Sequence, residues 1–133
     1  MKIHLYKVGR NLNRAIRTCY AFGINELYLC ESESKVKGNL YSAKDVKLIN
    51  VELPNPDTTL VLEYDGKTNL QDIDLSKFEN VLIGGESVNL TSKMGMKVKI
   101  FTENNFCLTV EAALAVFLYE LKIKSYEKQI CNK

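Results

Sequence analysis

The chain has 133 residues, 46% hydrophobic and 26% charged, which suits one soluble globular domain (1–133) with a real core. Its net charge of +2 is too small for a protein that holds polyanions by bulk charge, so any nucleic-acid contact must come from local clustering. No apolar run approaches the roughly 20 residues of a membrane span, and the start, MKIHLYKVGRN, lacks the apolar core of a signal peptide. A cytoplasmic protein with no membrane contact is expected.

In chain order, residues 2–8 (KIHLYKV) predict a strand, and 12–22 (LNRAIRTCYAF) predict a helix closed by Gly23 as its C-cap. All three arginines of the chain, Arg10, Arg14 and Arg17, fall here within eight residues. The first 25 residues carry five positive charges, and the first acid is Glu26. In such a helix the arginines sit near the positive N-terminal end, where cations are disfavoured. An anion site explains that arrangement, because guanidinium is the planar, permanently charged fork that grips phosphate and carboxylate.

Residues 27–30 (LYLC) predict a second strand, and the polar stretch 32–44 a loop. VKLINVEL, around 46–53, predicts a third strand stopped by Pro54 and Pro56. TLVLEY (59–64) and VLIGG (81–85) come next as strands, with a polar, Asp-containing segment between them. KVKIFT (97–102) is a sixth strand, and 107–126 form a long final helix. From Leu108 to Leu118 that helix is apolar except at Thr109 and Glu111, so it is expected to be buried or held between a sheet and a partner subunit. Tyr119 and Tyr126 on it read as interface or core. The continuous apolar strands predict a mostly parallel sheet with helices on both faces, hence a single-domain α/β protein.

Cys19, Cys30, Cys107 and Cys131 form no CxxC pair, and the one histidine, His4, lies in a strand. Neither a metal site nor a disulfide framework is expected. Cys19 and Cys107 read as small buried hydrophobes. In open α/β sheets ligands bind beyond the carboxyl ends of the strands. Three segments fall at such ends: GRNLNR, GGES and FTENNFCLT. Gly84 and Gly85 have no side chains, so a ligand could approach their backbone closely.

Together these segments resemble the three motifs of the SpoU branch of the SPOUT RNA methyltransferases, in order and over nearly the whole chain. Asn11-Leu12-Asn13-Arg14-Ala15-Ile16-Arg17-Thr18, running on to Ala21-Phe22-Gly23, resembles the first, which pairs an Asn with an Arg six positions later. Val81-Leu82-Ile83-Gly84-Gly85-Glu86 resembles the second, an apolar strand followed by Gly-x-Glu. Cys107-Leu108-Thr109-Val110-Glu111-Ala112-Ala113, followed by Leu118-Tyr119-Glu120, resembles the third. The chain departs from the family at Asn89, where Gly is usual, and at Phe101, where Pro is usual. It departs again at Cys107 and Thr109, where the family has Ser and Asn.

The resemblance implies a deep trefoil knot near the C-terminus, S-adenosylmethionine as cofactor, and a homodimer. The implied reaction is methylation of a ribose 2′-hydroxyl in RNA, with tRNA favoured over rRNA as the compact target. It implies Arg17, Asn11 and Glu86 as the catalytic set. Arg17 would stabilise charge on the reacting hydroxyl, with Glu86 and Asn11 bracing it. Leu62, Gly84, Ile100, Cys107, Leu108 and Thr109 match positions around the family's cofactor pocket. Arg10 and Arg14 read as RNA-backbone contacts, and no metal is implied. A catalytically weak or inactive knotted RNA-binding homologue is the alternative. A third reading, an unrelated nucleotide-binding α/β protein using GGES, lacks both a GxxxxGK[ST] loop and a GxGxxG turn.

Overall fold

The computed structural model describes residues 1–10, 12–32, 45–85 and 88–131. Its strands are β1 (Lys2–Tyr6), β2 (Glu26–Cys30), β3 (Lys47–Asn50), β4 (Thr59–Leu62), β5 (Thr68–Asn69), β6 (Asn80–Gly84) and β7 (Met96–Lys99). The two α-helices are α1 (Leu12–Ala21) and α2 (Val110–Cys131). The strands form one sheet in the order β3-β2-β1-β6-β4-β7-β5. Every ladder is parallel, as the apolar runs predict.

Strand alternation divides the sheet into two faces. Ile3, Leu5, Leu27, Leu29, Leu60, Leu62, Val81 and Ile83 face Leu12, Ala15, Ile16 and Cys19 of α1 and Leu114, Phe117 and Leu118 of α2. Tyr6, Cys30, Val61 and Leu82 point the other way and pack with Val51, Val88, Leu90 and Met94. Among the described residues, both helices thus flank one face, and connecting segments cover the other. That second face carries a polar feature: His4 is buried, its Nε2 is 3.0 Å from Asn80 Oδ1, and its ring stacks on Tyr28.

Helix α1 ends as its sequence predicts. Gly23 has φ +73°, its N–H donates to Tyr20 O (3.0 Å), and Ile24 N–H donates to Cys19 O (2.9 Å). This is the Schellman pattern, with glycine supplying the left-handed residue. Helix α2 starts three residues later than predicted and runs further. Thr109 stands at its N-cap, its carbonyl accepting from Ala113 N (2.9 Å), so Cys107-Leu108-Thr109 is extended chain leading into the helix. Only one flank of α2 is covered, so its all-apolar start does not mean burial all round. Tyr119 and Tyr126 are exposed and are not core within this chain.

Sequence reading missed β5 entirely. Thr68-Asn69 has no apolar period and joins the sheet edge only because β7 offers a partner. The turn after β5 is held by α2: Lys124 Nζ donates to the carbonyls of Leu70 (3.4 Å), Gln71 (3.1 Å) and Ile73 (2.8 Å).

Candidate functional site

Three neighbouring strands, β6, β4 and β7, end side by side at Gly84, Leu62 and Lys99. Beyond their carboxyl ends lies a cavity of about 350 Å³, its floor made by Leu62, Ile83, Leu90 and Ile100. Its walls come from Glu63, Tyr64, the segments Gly84–Gly85 and 88–89, and residues 106–110 with Ala113. The position obeys the general rule for ligand sites in parallel sheets.

All six residues that sequence reading assigned to cofactor binding, Leu62, Gly84, Ile100, Cys107, Leu108 and Thr109, line this one cavity. They come from four separate stretches of chain, so only the strand order assembles them. The departing residue Asn89 lines it too, while Phe101 is exposed on the segment beside it. Cys107 differs from expectation: it is an exposed free thiol on the cavity wall, because the chain there has not yet entered α2. Cys19 is buried as expected, and burial pushes its thiol up to about 12.

The glycine doublet also serves the fold itself. A Cβ on Gly85 would fall 2.2 Å from the Lys7 carbonyl oxygen, and one on Gly84 would meet the Leu90 side chain at 3.2 Å. The close neighbours of these glycines are therefore protein chain, even though both border the cavity. Glu63 was not singled out by the sequence, yet it ties the site together. Its Oε2 accepts from Leu90 N–H (2.9 Å), fixing the segment that forms one wall. Tyr64, Val88 and Phe106 were also missed, since an isolated aromatic or aliphatic residue in a loop gives no periodic signal.

The arginines form a second, separate region. Helix α1 buries Leu12, Ala15, Ile16 and Cys19, which turns Arg14 and Arg17 to solvent. Arg10 precedes the helix and is also exposed. None of the three lines the cavity. Arg14 Nη1 donates to Glu111 Oε1 at 3.2 Å, joining α1 to the first turn of α2 just beyond the cavity wall. The other oxygen, Glu111 Oε2, is buried and accepts no hydrogen bond from the described residues. Asn11 and Glu86, the other two residues of the expected catalytic set, lie outside the described residues.

Among the described residues no group of three or more His, Cys, Asp or Glu could hold a metal. Nor is any helix among them long and apolar enough to cross a membrane.

No protein-family model and no curated protein sequence matches the chain. Solved structures do. A TrmH/SpoU tRNA modifying enzyme from A. aeolicus superposes with TM-score 0.72 at 21% identity, over 99% of this chain and 78% of that one. A protein whose structure concerns 2-OH methylation of C/U34 on tRNA gives TM-score 0.74 at 20% identity, over 90% and 86%. An AdoMet-bound rRNA methyltransferase from Sinorhizobium meliloti gives TM-score 0.67 at 18% identity, over 90% of this chain and 54% of that one. The chain thus spans about half the length of the rRNA enzyme. The similarity shows that the chain shares its fold with these RNA-modifying enzymes. The fold is that of the SpoU group, as the three sequence motifs imply.

Proposed function

We propose that this chain is an S-adenosylmethionine-dependent RNA 2′-O-methyltransferase of the SpoU type. In this reading it is a single-domain cytoplasmic homodimer with a deep trefoil knot, acting on tRNA rather than rRNA. The observation that carries the reading is the convergence of Leu62, Gly84, Ile100, Cys107, Leu108 and Thr109 on one cavity in a SpoU fold.

The cavity fits the cofactor. Its volume of about 350 Å³ lies within the range of about 300–1,000 Å³ usual for small-molecule sites. Leu62, Ile83, Leu90 and Ile100 offer an apolar bed for a purine ring, and the backbone at Gly84–Gly85 offers polar atoms at the edge. Bound there, S-adenosylmethionine would supply a methyl group on a positively charged sulfur. The remaining work falls to the protein. Arg17 stabilises negative charge as the ribose hydroxyl loses its proton to solvent, since guanidinium is too basic to take that proton itself. Asn11 and Glu86 brace Arg17, while Arg10 and Arg14 grip the flanking phosphates.

Within one chain none of the three arginines lines the cavity, so in this reading a second copy completes the site. Helix α2 supports that requirement. Ala112, Val116, Tyr119, Ile123, Tyr126 and Ile130 recur at alternating spacings of four and three. Val116, Tyr119, Tyr126 and Ile130 of this set are exposed. A 22-residue helix with such a stripe has the pattern of a helix-pairing seam. The test is Arg17→Ala, expected to lower methyl transfer at least a hundredfold while S-adenosylhomocysteine still binds within about twofold by calorimetry. Undiminished turnover in that variant would remove Arg17 from the mechanism. A wild-type protein that binds RNA but shows no heat with S-adenosylhomocysteine would instead favour the inactive homologue, which the changes at Cys107 and Thr109 motivate.

A further inference from the structure

We propose that Phe106 is a stacking platform for an unpaired RNA base at the mouth of the cavity; this rests on the reading of the cavity as the methylation site. Phe106 is the most exposed large hydrophobic side chain among the described residues, at 73%, and it lines the cavity. A phenylalanine left in water on a floppy loop would need no explanation. This one is held. Thr102 Oγ1 accepts from Phe106 N–H (3.0 Å) and donates to Phe106 O (3.1 Å). Asn105 N–H donates to Thr102 O (3.1 Å), and Asn105 itself takes φ +50° to close the turn. The turn from Thr102 to Phe106 thus fixes the backbone that carries the ring at the cavity.

The same rim carries a second aromatic, Tyr64, itself 46% exposed. The interior beneath them is aliphatic, from Leu62, Ile83 and Leu90, so a bound cofactor's purine has its own bed and does not need the rim. What arrives from outside is the substrate. Its phosphates would find cationic partners in the arginine segment, and its bases would find aromatic faces at the cavity mouth. A flat base on an aromatic face is the complementary contact. It is tolerant of sequence because every base has a π-face, and it is available only where the base is unpaired. A stacked base also fixes the ribose attached to it, which is what transfer to a 2′-hydroxyl requires.

The test uses full-length protein and a fluorescein-labelled single-stranded RNA of about 12 nucleotides, with a second oligomer in which the central bases are replaced by abasic sugars. Phe106→Ala is expected to weaken binding of the intact oligomer about tenfold or more, and Phe106→Tyr to restore it. The abasic oligomer should bind wild type and Phe106→Ala alike, since its phosphates are intact. S-adenosylhomocysteine affinity and the sedimentation coefficient should not change. Equal affinity of wild type and Phe106→Ala for the intact oligomer overturns the proposal. So does a loss of cofactor affinity, which would put the ring against the cofactor, or dissociation into monomers, which would make it an interface residue. A wild-type protein that binds RNA through Phe106 but takes no S-adenosylhomocysteine ends the methyltransferase reading and leaves the platform standing.

Discussion

The cavity and the arginine helix both descend from sequence motifs, yet the fold treats them differently. The cavity residues are scattered along the chain and meet in space. The arginines are close along the chain, are exposed to solvent and stay outside the cavity lining. Parallel strands explain the first, because β6, β4 and β7 end on the same side and deliver Gly84, Leu62 and Ile100 to one cavity. Amphipathicity explains the second, because burying Ala15, Ile16 and Cys19 leaves Arg14 and Arg17 outward. A cavity can therefore be assembled within one chain while the clustered arginines stay outside its lining.

If the two regions are functionally separate, each should fail alone. The largest contrast is with Arg17→Ala, which should remove turnover and spare cofactor binding. Ala113→Leu attacks the other region: Ala113 lines the cavity from α2, and the larger side chain intrudes upon it. Calorimetry should show S-adenosylhomocysteine affinity falling about a hundredfold, or about 2.7 kcal/mol, with RNA affinity within about twofold. Parallel loss of both affinities would mean that the regions are coupled more tightly than this geometry indicates.

A second prediction concerns the sheet that both regions share. Burial, the largest influence, lowers the pKa of His4 below its ordinary 6.5; the hydrogen bond to Asn80 opposes this, and Lys2 adds to it. The unfolded chain therefore binds the His4 proton more readily than the folded protein. The contribution of neutral His4 is fully present above about pH 6.5, is lost as pH falls from there toward the folded pKa, and is then constant. Urea midpoints should drop between about pH 7.5 and 5.5 in the wild type, and drop less in His4→Gln. Cavity and arginine functions should decline together, since both depend on β1 and β6.

The smallest effect tests the one described ion pair between the regions. Arg14 is 73% exposed, so its contact with Glu111 contributes little to stability. Glu111→Gln should leave the melting temperature nearly unchanged. Releasing Arg14 from its carboxylate should raise RNA affinity about threefold at low salt, with the gain disappearing as salt increases. A gain that survives high salt would point to a rearrangement of α1 instead.

Much of this was legible in the chain itself. The Gly23 cap, the apolar strands and the closely spaced arginines come from local chemistry, because each depends on residues within one or two turns of each other. The start of α2 was misplaced, since Cys107-Leu108-Thr109 is as helix-compatible as Val110 and its successors, and only the N-cap geometry at Thr109 marks the boundary. β5 was invisible because two residues carry no period, and an edge strand exists only when a neighbour pairs with it. Glu63 and Phe106 were missed for a related reason. A lone carboxylate or ring in a loop acquires a role only from what the fold sets beside it, here Leu90 N–H and the cavity mouth.

The sequence by itself determined the α/β class, the amphipathic helix that turns its arginines outward, and the motif residues that supply six of the cavity's lining positions. Tertiary structure alone decided the strand order, and with it the convergence of Leu62, Gly84, Ile100 and Thr109 across 48 positions of chain (62 to 109, both ends included). It also decided that both α-helices of the described residues share one face and that the arginines stand apart from the pocket. The physical reason is range. Capping and amphipathic period are fixed by neighbours along the chain, whereas a site is fixed by which strands pair, and pairing is settled only when the whole core is buried.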